Sequence, residues 1–269
     1  MTAIRPQPNV HLAAFLADIR PLGARSVIAS TLLGAEGARM PAERLVRAGV
    51  LFGIADGAIR TALWRMVTAG ELIADDGAYE LAGRLLARQQ RFSDNAAARR
   101  RTWDGTWEVD IVEPGSRSAA ARQDLRVAAR ALHLAELREG VWLRPDNLDP
   151  ARSPDQRAVI DAQCLRLVGA TGPAEVGGRL FDTAGWASGA RALVDALDDA
   201  SHPPDELGPG DLAAGFRLSI AVVRHLDADP LLPDELLPPR WPGTALRDRY
   251  DDYHRAYERR FAAWLSADD

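Results

Sequence analysis

The stretch ADGAIRTALWRMVTAG, residues 55–70, constrains the fold of this chain more than any other. Ile59, Leu63, Met66 and Val67 recur at i, i+4, i+7 and i+8, which gives an α-helix one apolar face. The opposite face presents Gly57, Arg60, Thr61, Trp64 and Thr68, with Arg65 flanking, and Gly70 ends the run. ELIADDGAYEL comes next, with Asp-Gly between two short apolar stretches, a local hairpin signal. Two further periodic segments come before. In SVIASTLL, Ser26 is placed to cap a helix burying Val27, Ile28, Leu32 and Leu33, with Gly34 as its stop. In AERLVRAGVLFG, Pro41 suits the first turn and Leu45, Val46 and Val50 point inward. Three short helices and a hairpin within about 55 residues spell a winged helix-turn-helix, whose third helix enters a major groove.

That third helix carries the chemistry expected of a DNA reader. Arg60 and Arg65 can reach guanine edges or phosphates, and Thr61 a thymine methyl or a phosphate. Trp64 and Thr68 complete the face, which would also suit plain solvation; Trp64 could instead pack on the hairpin or on another domain. The hairpin itself carries Glu71, Asp75, Asp76 and Glu80, which repel phosphate, so the wing is expected to touch little DNA.

Charge is unevenly spread. All 33 basic residues are Arg. Through Thr102 there are 14 Arg against 9 Asp and Glu, whereas from Trp103 onward there are 19 against 29. A basic first third suggests a part that meets a polyanion. The run Arg99, Arg100, Arg101 closes a stretch that also holds Arg84, Arg88 and Arg91; it can neutralise phosphate or serve as a solvated linker. The single cysteine, Cys164, forbids an internal disulfide and a Cys-based zinc cluster. With no apolar run of about 18 residues and no apolar signal core in MTAIRPQPNV, the expected location is the cytoplasm.

Beyond the reader, residues 1–24 read as a proline-punctuated arm with a helical turn or two, and 81–101 as a helix leading into a basic linker. TWEVDIV alternates as a strand, SRSAAARQDLRVAARALHL is an amphipathic helix, and LAELREGVWLRP reads as two strands about Glu139-Gly140. Strand-helix-strand-strand opens a ferredoxin-like α+β module. The stretches DNLDPARSPD and GATGPAEVGG break the next part of the chain into short pieces, and from Leu180 it is mostly helical. The expected class is therefore α+β: arm 1–24, winged helix-turn-helix 25–98, linker and ferredoxin-like module 99–175, helical domain 176–269. The last helix carries Leu246, Tyr250, Tyr253, Tyr257, Phe261 and Trp264 at three- and four-residue spacing, as core, dimer seam or ligand-facing stripe.

No phosphate-cradling glycine loop and no Gly-x-Ser-x-Gly elbow occurs, and the histidines at 11, 133, 202, 225 and 254 are scattered. His254 and Glu258, one turn apart, suit a surface contact better than half a metal site. His225 and Asp227 suit a helix cap, and Cys164 in AQCLRLVG a small buried hydrophobe. The expectation is a protein that is not an enzyme and has no cofactor or metal.

The text DPLLPDELLPPRWPG at 229–243, with GFRLSIAVVRHLDA before and ALRDRYDDYHRAY after, resembles the C-terminal signature of the PaaX-like family, repressors of phenylacetic acid degradation. GAIRTALWRMVTAGEL is similar to that family's recognition helix, with Arg60, Thr61, Ala62, Leu63 and Arg65 at matching places; WDGTW and REGVWLRPDNL are similar to its central module. The resemblance implies a homodimer on double-stranded operator DNA, released by an aryl- or acyl-CoA effector, phenylacetyl-CoA in the founding members. A CoA ester carries phosphates, for which Arg166, Arg179 and Arg217 are available. Two departures stand out: the wing is short and acidic, and Trp64 stands where the family more often has a small residue. An enzyme or small-molecule-binding protein on the same scaffold with a vestigial helix-turn-helix, and a protein-binding adaptor, are the alternatives. Salt-dependent binding to the DNA beside its gene separates them.

Overall fold

The computed structural model describes residues 22–83, 85–86, 100–172, 175–200 and 209–266. The arm upstream of Leu22, most of the 81–101 segment with Arg84, Arg88, Arg91 and Arg99, and His11 and His202 lie outside the described residues. The chain divides into two compact units, Met1–Gln90 with Ser188–Asp227 and Pro242–Asp269, and Arg91–Ala187 with Ala228–Trp241. Helices and antiparallel strands are mixed throughout, an α+β protein.

The first unit opens with α1 (Ala24–Leu33), a 3-10 turn, β1 (Arg39–Pro41), α2 (Ala42–Val50), α3 (Asp56–Thr68), β2 (Leu72–Asp75) and β3 (Ala78–Leu81). Helix α1 starts a turn earlier than its serine suggests. Gly23 is the N-cap and its carbonyl already accepts from Val27 N–H at 3.0 Å, which leaves Ser26 inside the helix. Pro41 is likewise the N-cap of α2 and not part of its first turn. It ends a three-residue strand with no alternation long enough to read, and β1 pairs with β3 to give the sheet order β1-β3-β2. Asp76 and Gly77 both take left-handed φ (44° and 70°), the geometry of a two-residue hairpin turn that matches strand twist.

The core of this unit is apolar: Ile28, Leu32, Leu45, Ile59, Leu63, Met66, Leu72 and Leu81 are all buried. Gly49 decides how closely α2 and α3 approach, because a Cβ there would stand 2.7 Å from the Ile59 side chain. Val50, expected inward, is 59% exposed: it is the last residue of α2, past the turn that packs.

Three longer helices come later in the chain: α7 (Thr183–Ala200), α8 (Pro209–Asp227) and α9 (Gly243–Ser266). The aromatic stripe of α9 is core. Leu246, Tyr250, Tyr253, Tyr257 and Phe261 are buried, and Tyr257 Oη donates to the Leu212 carbonyl of α8 at 2.9 Å. Leu265 takes the inner place expected of Trp264, which lies half-buried beneath the Arg47 guanidinium at 5.1 Å. Phe52, in the turn after α2, meets Phe216 edge-on at 5.2 Å, and Phe216 meets Phe261 at 5.7 Å. Helix α2 and the turn after it thus share their packing with α8 and α9.

The second unit contains β4 (Thr106–Val112), α4 (Ala119–Ala131), β5 (Ala135–Arg138), β6 (Val141–Pro145), α5 (Pro154–Asp161), β7 (Cys164–Thr171) and α6 (Glu175–Leu180). Ser118 caps α4 by accepting from Ala121 N–H at 3.1 Å. The four strands form an antiparallel sheet in the order β5-β6-β4-β7, with Leu125, Ala129, Leu132, Trp142 and Ile160 packed together. Cys164 is buried as expected, but its apolar run is an edge strand that leaves Leu165, Leu167 and Val168 exposed. The proline-rich elbow is anchored in this unit. The buried Arg144 donates to the carbonyls of Leu132, His133, Pro145 and Leu231, and Asn147 Nδ2 joins at Leu231 O, 3.0 Å away. Two stretches that look like sequence signatures therefore hold one another.

Candidate nucleic-acid interface

Helix α3 splits as its periodicity requires. Ile59, Leu63 and Met66 are buried, whereas Arg60, Thr61, Trp64, Arg65 and Thr68 are exposed. Asp56 in its first turn suits the positive end of the helix dipole. Thr61 Oγ1 donates to the Gly57 carbonyl at 2.7 Å and Thr68 Oγ1 to that of Trp64 at 3.0 Å. Trp64 is 67% exposed, and the hairpin does not cover it.

Beside this face a groove of about 820 Å³ runs between α3 and the start of α1, lined among others by Gly57, Thr61, Arg65, Arg25 and Glu71. Glu71 does not point away from the protein as a wing acid would. It is 3% exposed and held by Arg25 through two hydrogen bonds of 2.8 and 2.9 Å, and the pair keeps the guanidinium above its ordinary pKa. Asp75 meets Arg39 at 3.1 Å. Two of the four acids at the hairpin are therefore neutralised by arginines from outside it, and among the described residues no arginine pairs with Asp76 or Glu80. The one clue in the sequence is position: Glu71 stands directly after the end of the helix.

The other nominated residues are not gathered here. Arg100 is exposed and bridges Leu148, while Arg101 is tied to Asp146 and to the Leu148 carbonyl at 3.0 Å; both belong to the second unit. Arg166 and Arg179 lie in that unit too, and Arg217 in the first, its guanidinium 5.8 Å over the Phe52 ring. Arg179 is exposed on α6. Arg166 bonds Asp110 at 3.2 Å and also pairs with Asp161. His254 meets Glu258 at 3.0 Å, and no cluster able to hold a metal occurs among the described residues.

Arg166 belongs to a buried ionic constellation that the sequence does not announce. Glu108 and Asp110, two apart on β4, share one face of the sheet with Arg157 of α5 and with Arg152. Arg157 reaches Glu108 at 2.5 Å and Asp110 at 3.7 Å. Burial pushes Glu108 up, but the charges of Arg157 and Arg152 outweigh it and hold the carboxyl below its usual value. Asp110, fully buried beside Glu108, is pushed up to about 6 by desolvation and by that neighbouring charge. Burial drives His133 down to about 3 and the Cys164 thiol up to about 11, which favours the neutral thiol.

Against known families, residues 23–85 match the PaaX-like protein family and residues 190–267 the PaaX-like protein C-terminal domain. The chain belongs to the PaaX-like family. A solved structure titled "Uncharacterized protein Rv0674 from Mycobacterium tuberculosis" is 39% identical, with a TM-score of 0.67 over 90% of this chain and 98% of that one. No curated protein matches. The first PaaX-like match runs from α1 through β3 and so takes in the exposed face of α3. The second takes in α8, α9 and the elbow between them. PaaX-like proteins are regulators of transcription, which places this chain among regulators. No described helix is long and apolar enough to cross a membrane.

Proposed function

We propose that this PaaX-like chain is a ligand-responsive repressor that binds double-stranded operator DNA as a homodimer. The observation that carries the reading is the divided face of α3, apolar inward, with Arg60, Thr61, Trp64, Arg65 and Thr68 all turned to solvent. The order helix, strand, helix, helix, strand, strand supports a winged helix-turn-helix over 25–98. The βαββαβ order with its four-stranded antiparallel sheet supports a ferredoxin-like module over 99–175, ahead of a helical domain over 176–269. Arg99, Arg100 and Arg101 add backbone contacts in this reading.

Two copies of α3 address half-sites spaced by whole helical turns. An acyl-CoA or small aromatic effector, phenylacetyl-CoA among them, favours a pairing of the two readers that no longer fits DNA, and releases it by its differential affinity for the two states. Arg166, Arg179 and Arg217 are the cations assigned to its phosphates; Arg166 would exchange its Asp110 and Asp161 partners to serve. The test is binding to duplexes from beside its own gene across a salt series. Affinity falls steeply with salt, and Arg60→Ala weakens it by ten- to a hundredfold, about 1–3 kcal/mol. Binding that ignores both salt and the substitution refutes the reader. Thermal shifts with acyl-CoA esters test the effector separately.

A further inference from the structure

Helix α4, Ala119–Ala131, carries a row of arginines that nothing in the folding of its unit explains. Arg122, Arg126 and Arg130 stand four residues apart, and all three are exposed. At 100° per residue they form a stripe about 80° wide, with about 6 Å of rise between neighbours. The buried side of the helix, Leu125, Ala128 and Ala129, is centred about 105° around from Arg126, and Ala129 adjoins the stripe at Arg122. The helix's acidic residue, Asp124, lies about 160° around from the central Arg126. Gln123 lies next to the stripe. Arg122 donates to the Arg117 carbonyl at 2.6 Å, a contact that leaves its charge uncompensated.

Such a row costs stability. Like charges at i, i+4 destabilise a helix by a few tenths of a kcal/mol per pair. On α9 several charges are answered: Arg255 pairs with Asp252, His254 with Glu258, and Arg249 with Asp198 of α7. On α4 no carboxylate answers Arg126 or Arg130 among the described residues. The stripe also sits in the part of the chain where acids outnumber arginines, so it is a local concentration of positive charge against the trend.

We infer that this face of α4 is a second nucleic-acid surface, one that tracks the phosphate backbone of duplex DNA without reading bases. A straight row of guanidiniums along a helix matches a line of phosphates, and guanidinium binds phosphate through paired donors. This inference rests on the protein being a DNA binder. It adds contacts from the second unit, separate from those of α3 in the first.

The experiment compares the full-length protein with a variant in which Arg122, Arg126 and Arg130 are all replaced by Gln. Glutamine has a helix propensity close to that of arginine, so α4 is kept and its self-repulsion removed. Affinity is measured for a long upstream duplex and for a scrambled duplex, at salt between 50 and 200 mM. Three lost phosphate contacts make the log–log salt slope shallower by about 2.7, so the wild-type advantage shrinks about 40-fold across that range, equally on both duplexes. The thermal midpoint holds or rises. Superimposable slopes for the two proteins overturn the inference. So does a wild-type affinity for polyglutamate that equals its affinity for DNA and vanishes in the variant, which assigns the face to an acidic protein. Arg60→Ala is run alongside. If it weakens the upstream duplex while the triple variant changes nothing, only the α4 surface fails. If wild-type protein binds no duplex, the DNA reading itself fails, and this surface with it.

Discussion

The two units solve the problem of an interior in opposite ways. Around α3 the buried side chains are aliphatic, with Ile28, Leu32, Leu45, Ile59 and Leu63 in mutual contact and Met66 filling the remainder. Under the four-stranded sheet, Glu108, Asp110, Arg144 and Arg157 are buried alongside the apolar cluster of α4 and β6. An aliphatic core tolerates exchange at the cost of volume, since its contacts are non-directional. A buried ionic group tolerates nothing that removes one partner alone, because the survivor keeps its charge and loses its compensation. The first unit therefore rests on a forgiving interior, and the second on an exacting one.

The sharpest way to break that contrast is Glu108→Ala. It leaves Arg157, Arg152 and Arg166 short of a carboxylate, and denaturant unfolding should register a loss of about 3–5 kcal/mol. Leu63→Ala, in the aliphatic interior, should cost about 2–4 kcal/mol, the transfer and cavity terms of a buried leucine. If the leucine change were much the more damaging, the contrast would be wrong.

Acid should divide the two interiors as well. His133 has a folded pKa of about 3, below its ordinary 6.5, so the unfolded chain takes up a proton that the folded chain refuses. Stability from this group is present above 6.5 and falls as pH drops. Asp110 has the reverse sign: with its pKa raised from 3.8 to about 6, the folded chain keeps a proton that the unfolded one has released, and stability falls as pH rises through that interval. In His133→Gln, lowering the pH from 6 to 4.5 should therefore raise the unfolding midpoint of the second unit, where the wild type shows a flatter or falling profile. Glu108 enters only below its ordinary 4.5, where its protonation destabilises. The smallest expected effect on folding is that of Trp64→Ala, within about 0.5 kcal/mol by thermal melting, because the ring is exposed.

These two kinds of interior also explain how far the sequence can be read. Periodicity reports apolar burial, so α3, the hairpin, β4, α4 and the α9 stripe are legible in Ile59, Leu63, Leu125 and Tyr253. It is blind to polar burial, and Glu108 and Asp110 look like solvent-facing residues of an alternating strand until Arg152 and Arg157, forty and more positions later, fold over them. Strand β1 is too short to show a period, and β7 carries apolar residues on both faces because it is an edge. The exposed face of α3 can be named residue by residue. The neutralising of its wing cannot, since Arg25 and Arg39 come from before the helix-turn-helix pair.

The contact of Phe52 with Phe216, and of Arg47 with Trp264, has a consequence for biosynthesis. The segment that presents α3 emerges from the ribosome long before α8 and α9, the helices that support it, and most of the second unit is made in between. A nascent or prematurely ended chain thus carries α3 without this backing. The first unit becomes complete only when translation is nearly done.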